Sequence, residues 1–386
     1  MDEPPTDEST TVGEPLTGPG SISPPRRLST LPDRPSVSHP EALSPAALAD
    51  ARRNQPRRAL VGLAFILPLT ALLSVAADGP VHSLIVLGPL ITFALPFVSA
   101  IAFWWEDWPG SMLPRPWSGL YDTVIVAAGG VLMTVLGQLI VNGPDLVGIF
   151  APGPGHPGSF PNTLPLGGGI FTVILQFTLV WERWPLRKLG RIRSGLAAIA
   201  VSWILGLVAW LLAVHLLTIA ADHYGAWLTS IGLWQVIFYI ALRGWPFARI
   251  TRRWSRLLAG NVGVIGFGWL TYLLLVHVFG LSTIVTIMVN GTGIGAFLLV
   301  AMLFEGWPAV SITARPGPGL TIVIVVGVAL SALLLWLLPL LAGTLGMSGV
   351  DQLGWTTQVT LNALSTAVIL HVAVWGRWPA RDKPTP

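Results

Sequence analysis

The sequence predicts an all-α integral membrane protein, with about ten transmembrane helices arranged as five related two-helix units and both termini in the cytoplasm. Only 10% of the 386 residues are charged and 53% are apolar, against roughly 25% charged in a soluble domain. From Ala59 to Trp378, apolar segments long enough to cross about 30 Å of hydrocarbon follow one another. All 22 lysines and arginines fall on one side of those segments, as cytoplasmic loops require.

In chain order, residues 1–58 read as a disordered tail. The first 56 hold eleven prolines and eight acidic residues and no apolar run to bury. The tail ends in a basic juxtamembrane segment, Arg52, Arg53, Arg57 and Arg58. It lacks the form of a secretory signal, because no apolar stretch follows Arg26 and Arg27 until after Arg58.

Residues 59–378 form the polytopic domain. Its ten spans are expected near 59–77, 83–105, 118–141, 165–182, 195–219, 226–243, 257–279, 283–305, 319–342 and 355–376. Each must be helical, since a lone strand in lipid leaves its backbone groups unpaired. The span at 165–182 is the least regular, opening on Gly167, Gly168 and Gly169. Residues 379–386 are a short cytoplasmic tail.

The cations settle the expected sidedness. Seven lie in the N-terminal tail, one between spans 2 and 3, five around the 4/5 connection, five around 6/7, one between 8 and 9, and three after span 10. The opposite loops carry Asp78, Asp145, Asp222 and Asp351 instead. A multi-pass protein of the cell membrane with an even number of spans follows. Because the basic residues are scattered through short connections, the pI of 9.9 does not describe a nucleic-acid surface. With no cysteine, thiolate metal sites, iron–sulfur clusters and cysteine nucleophiles are excluded.

Each even-numbered span is followed by the dipeptide Trp-Pro: Trp108-Pro109, Trp184-Pro185, Trp245-Pro246, Trp307-Pro308 and Trp378-Pro379. Random pairing would give about 1.5 such dipeptides. Trp105, Trp181 and Trp375 extend three of them to W-x-x-W-P. Proline stops the helix and the indole suits the headgroup level, so a membrane-interface belt explains the motif without any chemistry. Glu106, Glu182 and Glu305 recur two residues before the tryptophan, where the helix dipole opposes a carboxylate. They read either as ordinary solvated interfacial charges or as partners of arginines in neighbouring connections, such as Arg187 or Arg252.

The spans hold almost no charge. Asp122 lies near the cytoplasmic start of span 3, and no acid or base sits near a midplane, which disfavours a buried carboxylate relay. Span 8 contains Asn290-Gly291-Thr292-Gly293-Ile294-Gly295. That stretch suits either a helix break that binds substrate or a small-residue packing face. With Gln235, Gln358 and Asn362, the residues Asn290 and Thr292 are the candidate substrate-binding positions. His215 and His277 recur at equivalent positions near the outer interface. They are weak candidates for metal or haem, since no ligand spacing supports them. His371 is expected as a hydrogen-bonded packing residue.

No phosphate-binding loop, nucleophile elbow or HExxH pair occurs, so no enzyme activity and no cofactor is implied. The expected function is a permease-like carrier of a small neutral or amphipathic solute. The alternative is a non-transporting membrane subunit or scaffold, its partners the lipid bilayer, anionic lipid, or a membrane or cytoplasmic protein. A metal- or haem-handling membrane protein is a third class.

Overall fold

In a computed structural model, residues 45–313 and 315–380 are described, and these are helical nearly throughout. The helices are α1 Pro45–Asn54, α2 Arg57–Val75, α3 Pro80–Trp104, α4 Trp117–Val141, α5 Val147–Phe150, α6 Leu164–Val180, α7 Arg191–Leu216, α8 221–241, α9 Arg253–Val278, α10 Thr283–Leu303, α11 Ala309–Ile312, α12 Pro316–Thr344 and α13 Gly349–Val374. Helices α2, α3, α4, α7, α9, α10, α12 and α13 are each long and apolar enough to cross a membrane.

Two of the ten expected spans fall short of that standard for different reasons. Helix α6 has 17 residues, about 26 Å at 1.5 Å per residue, because Pro165 sits in its first turn and the preceding segment is loop. Helix α8 is long, but it begins five residues earlier than expected and takes in Asp222, His223 and Tyr224 as well as Gln235, which dilute its hydropathy. The tail expectation over residues 1–44 lies outside the described residues. Its last part differs from expectation, because Pro45–Asn54 is helical. Ala51 of that helix is buried, and Arg52 Nε donates to Val310 O at 2.7 Å, docking α1 on α11.

Five helices form the inside and five surround them. Helices α3, α10 and α13 are buried over 72–78% of their apolar stretch, whereas α2, α4, α7, α9 and α12 are buried over 11–39%. In α6 no residue is exposed, and in α8 only Ala221 and Asp222 are. The inner helices pack in sequence, α3 on α6, α6 on α8, α8 on α10, α10 on α13, and α13 back on α3. Each outer helix packs chiefly on the inner helix that precedes it: α4 on α3, α7 on α6, α9 on α8 and α12 on α10. Among the described helices none follows α13, and α2 occupies that place. There Trp355 Nε1 donates to Ser74 O at 2.9 Å, and Phe65 meets Trp375 with ring centroids 5.2 Å apart.

Close approach between the layers depends on missing side chains. A Cβ on Gly137 of α4 would stand 2.5 Å from Cζ of the fully buried Phe93 of α3. Gly327 of α12 gives Phe297 of α10 the same kind of seat. Without a hydrophobic force between helices in lipid, such contact is the main source of association.

Helix α10 runs unbroken through Asn290–Gly295, as the packing alternative requires and the helix break does not. Its glycines are contact points instead: a Cβ on Gly291 would lie 3.0 Å from Leu361, on Gly293 2.9 Å from Leu233, and on Gly295 2.9 Å from Thr360 O.

Candidate functional site

The sequence-predicted polar residues lie on the seams between inner helices, one seam after another. From α3 to α6, Trp104 Nε1 donates to Thr178 Oγ1 at 2.9 Å. From α8 to α6, Gln235 Nε2 donates to Gln176 Oε1 at 2.7 Å and to Thr172 O at 3.0 Å. From α10 to α8, Asn290 Nδ2 donates to Ser230 Oγ at 2.8 Å. Between α10 and α13, the Thr292 and Thr360 hydroxyls are 3.4 Å apart. Between α13 and α3, Asn362 Nδ2 donates to Gly88 O at 3.5 Å and Thr92 Oγ1 donates to Asn362 Oδ1 at 3.4 Å. Gln358 Oε1 accepts from the same Asn362 amide at 2.7 Å.

Gln235, Asn290, Thr292, Gln358 and Asn362 are all buried, and their hydrogen bonds run across different pairs of inner helices. Gln235 belongs to a network missed in the sequence. Gln176 Nε2 donates onward to Asn261 Oδ1 at 2.8 Å, the same oxygen accepts from Trp181 Nε1 at 3.0 Å, and Asn261 Nδ2 donates to Leu257 O at 2.6 Å. Bonding capacity is left over: Gln235 Oε1, Asn290 Oδ1 and Gln358 Nε2 have no hydrogen-bond partner among the described residues. The same holds for both ring nitrogens of His371, expected to be hydrogen-bonded, whose ring packs on Phe65 at 5.2 Å between centroids. His215 lies edge-on to Trp210 at 4.6 Å and His277 edge-on to Tyr272 at 5.8 Å. Among the described residues no three His, Asp or Glu side chains converge as a metal site would require.

The Trp-Pro ends share one local geometry. Helices α3, α6, α8, α10 and α13 each finish in a π-helical turn, at residues 104, 180, 241, 303 and 374, four residues before the tryptophan rather than at it. The next two residues but one turn left-handed: Glu106 and Asp107, Glu182 and Arg183, Arg243 and Gly244, Glu305 and Gly306, Gly376 and Arg377 all have positive φ. Positive φ at non-glycine residues is disfavoured, so the surrounding bonds must hold it. In every copy the second of the pair donates its N–H six residues back, Asp107 to Ile101 and Arg377 to His371 among them. The Trp–Pro peptides are cis in all five.

The tryptophan before the proline and the tryptophan three residues earlier, where one is present, do different work. Trp245 and Trp378 are 41% and 39% exposed, as an interface anchor needs. Trp105 is buried, and its indole donates to Ile192 O of α7 at 3.1 Å. Trp181 donates to α9 through Asn261, and Trp375 Nε1 donates to Thr123 Oγ1 of α4 at 2.9 Å. The earlier tryptophans thus tie the inner layer to the outer one, whereas the sequence suggested an extension of the belt.

Helix C-termini leave carbonyls unsatisfied and partially negative. Here arginines from neighbouring turns cover them. Arg183 Nη1 donates to Phe103 O at 2.9 Å, Arg377 Nη2 to Met302 O at 2.8 Å, Arg243 Nη2 to Glu305 O at 3.4 Å, and Arg115 to Trp375 O. The recurring glutamates do have arginine partners, but not Arg187 or Arg252. Arg183 pairs with Glu106 at 3.6 Å, Arg256 with Glu182 at 3.0 Å, and Arg377 with Glu305 at 2.9 Å. Arg256 replaces Arg252 because it sits one turn inside α9, the helix that packs on the end of α6. Burial lowers the pKa of Arg243 and Arg377, with the Glu305 charge opposing it.

Arg187 and Arg191 instead line a cleft of about 250 Å³ with Trp104, Glu106, Arg183 and Ser194. Against protein-family models, curated proteins and solved structures, the chain gives no match.

Proposed function

We propose that the protein is a non-transporting membrane scaffold or subunit that recruits partners through its N-terminal tail together with its Trp-Pro face. The observation that carries this reading is the separation of the polar residues: Asn290, Gln235 and Asn362 each bond across a different pair of inner helices. A carrier needs such groups gathered around a solute, whereas a stitched bundle needs them distributed. In this reading α6 and α8 also cross the membrane, giving ten spans. The five alike Trp-Pro turns then mark five related units, and the one-sided cations put both termini in the cytoplasm of the cell membrane.

Purification of the full chain from its native membrane tests the reading. One stoichiometric partner, lost on deleting residues 1–44, supports it. A second reading, the permease-like carrier of a small neutral or amphipathic solute, is favoured by the unpartnered Asn290 Oδ1, Gln235 Oε1 and Gln358 Nε2. Solute uptake in proteoliposomes that Asn290→Leu and Asn362→Leu abolish and Trp108→Phe leaves unchanged would establish the carrier and refute the scaffold.

A further inference from the structure

We propose that the cleft between the end of α3 and the start of α7 binds the phosphate of an anionic phospholipid headgroup. The inference deepens the scaffold reading and rests on its assignment of the Trp-Pro face to the lipid–water boundary.

The lining contains three guanidiniums and one carboxylate, Arg183, Arg187, Arg191 and Glu106, with Ser194 and Trp104 completing it. Arg183 already holds the carboxylate, at 3.6 Å from Glu106, and caps Phe103 O. Arg187 and Arg191 have no ion pair or side-chain hydrogen bond among the described residues. The cleft therefore carries two uncommitted positive charges, each on a planar fork matched to phosphate oxygens. Helix α7 begins at Arg191, after Gly190 with φ +79°, and its first turn adds amide groups with partial positive charge.

The same stretch of chain also offers a lipid something that a free anion would not use. Leu189, Ile192 and Leu196 flank the arginines and are 48%, 41% and 54% exposed. An acyl chain can lie along them while the phosphate sits in the cleft. A soluble phosphate gains from the charge alone, so the combination selects an amphiphile.

Native mass spectrometry of the full chain in neutral detergent tests this directly. Titration with phosphatidylglycerol should give one adduct at concentrations where phosphatidylcholine gives none. At about a factor of five per lost cation, the Arg187→Gln/Arg191→Gln variant should weaken that adduct about 25-fold. Arg249→Gln/Arg252→Gln, which removes equal charge from the next basic connection, should change it less than about twofold. Unchanged thermal unfolding confirms that each variant is folded.

Equal binding of phosphatidylcholine, equal weakening by both double variants, or displacement by inorganic phosphate at the lipid's own concentration would each overturn the proposal. Partner capture by the unaltered full chain, set beside its own lipid titration, separates the two claims. A captured partner without a selective lipid adduct sinks the lipid site and leaves the scaffold standing, whereas a selective adduct without any partner does the reverse.

Discussion

Replacing Asn261 by leucine should destabilise the bundle by removing a junction between three helices. Its Oδ1 accepts from Gln176 Nε2 of α6 and from the Trp181 indole, while Gln176 in turn receives Gln235 of α8. Leucine matches the side-chain size but leaves both donors without an acceptor. Interhelical bonds in a bilayer average about 0.6 kcal/mol and reach about 1.7, so two of them amount to about 1.2 kcal/mol and at most ~3. Trp181→Phe removes one of the same two bonds along with unrelated indole packing, for instance on Trp184. A double-mutant cycle subtracts that packing and should leave a coupling of about 0.6 kcal/mol. Reversible unfolding of the purified protein in mixed micelles of rising SDS content gives all four free energies. Strictly additive single effects would refute the network.

Glu305→Ala should cost about 2 kcal/mol, because that carboxylate is 22% exposed and holds Arg377 and Arg58. Glu106→Ala, at a carboxylate 62% exposed, should stay within about 0.5 kcal/mol by the same unfolding measurement. Gly137→Leu should destabilise by about 1–3 kcal/mol through collision with Phe93. Gly266→Leu on α9, where nothing lies within 4 Å, should be tolerated, and equal effects would disprove the proposed seat. The hydrogen bond from Arg58 holds Asp50 below its ordinary pKa of 3.8. A depressed carboxylate stabilises the fold above that ordinary value and stops doing so as pH falls through the folded one. Wild type should therefore lose stability relative to Asp50→Asn as pH falls through 3.8 and below.

The membrane architecture was legible because hydrocarbon imposes length and apolarity on each helix, and Trp-Pro was legible because its excess is local in the sequence. The pairing of those elements was not. Glu106 meets Arg183 and Trp105 meets Ile192 only because α6 and α7 pack beside the end of α3, a relation with no trace in residue spacing. The left-handed pair at the five Trp-Pro ends was likewise hidden, because it holds Glu182 and Arg183 in one copy and Gly376 and Arg377 in another. Asn290 was legible as a polar group inside an apolar span, but which neighbour it faces depends on the rotation of α10, and apolarity all round that helix leaves no stripe to fix it. The span near Gly167 was legible as irregular, and its shortness follows from Pro165 and the loop before it.

Because α2 takes the place beside α13, the first and last of the described long helices meet at a common seam. During synthesis α2 is made before its main neighbour and must wait until the intervening helices and α13 have followed. A linker joining residues near 45 and 380, with a new opening cut into the loop between α4 and α6, should therefore restore the same bundle in a different order. Removing the final helix should do greater harm than its length suggests, since it strands the first one as well.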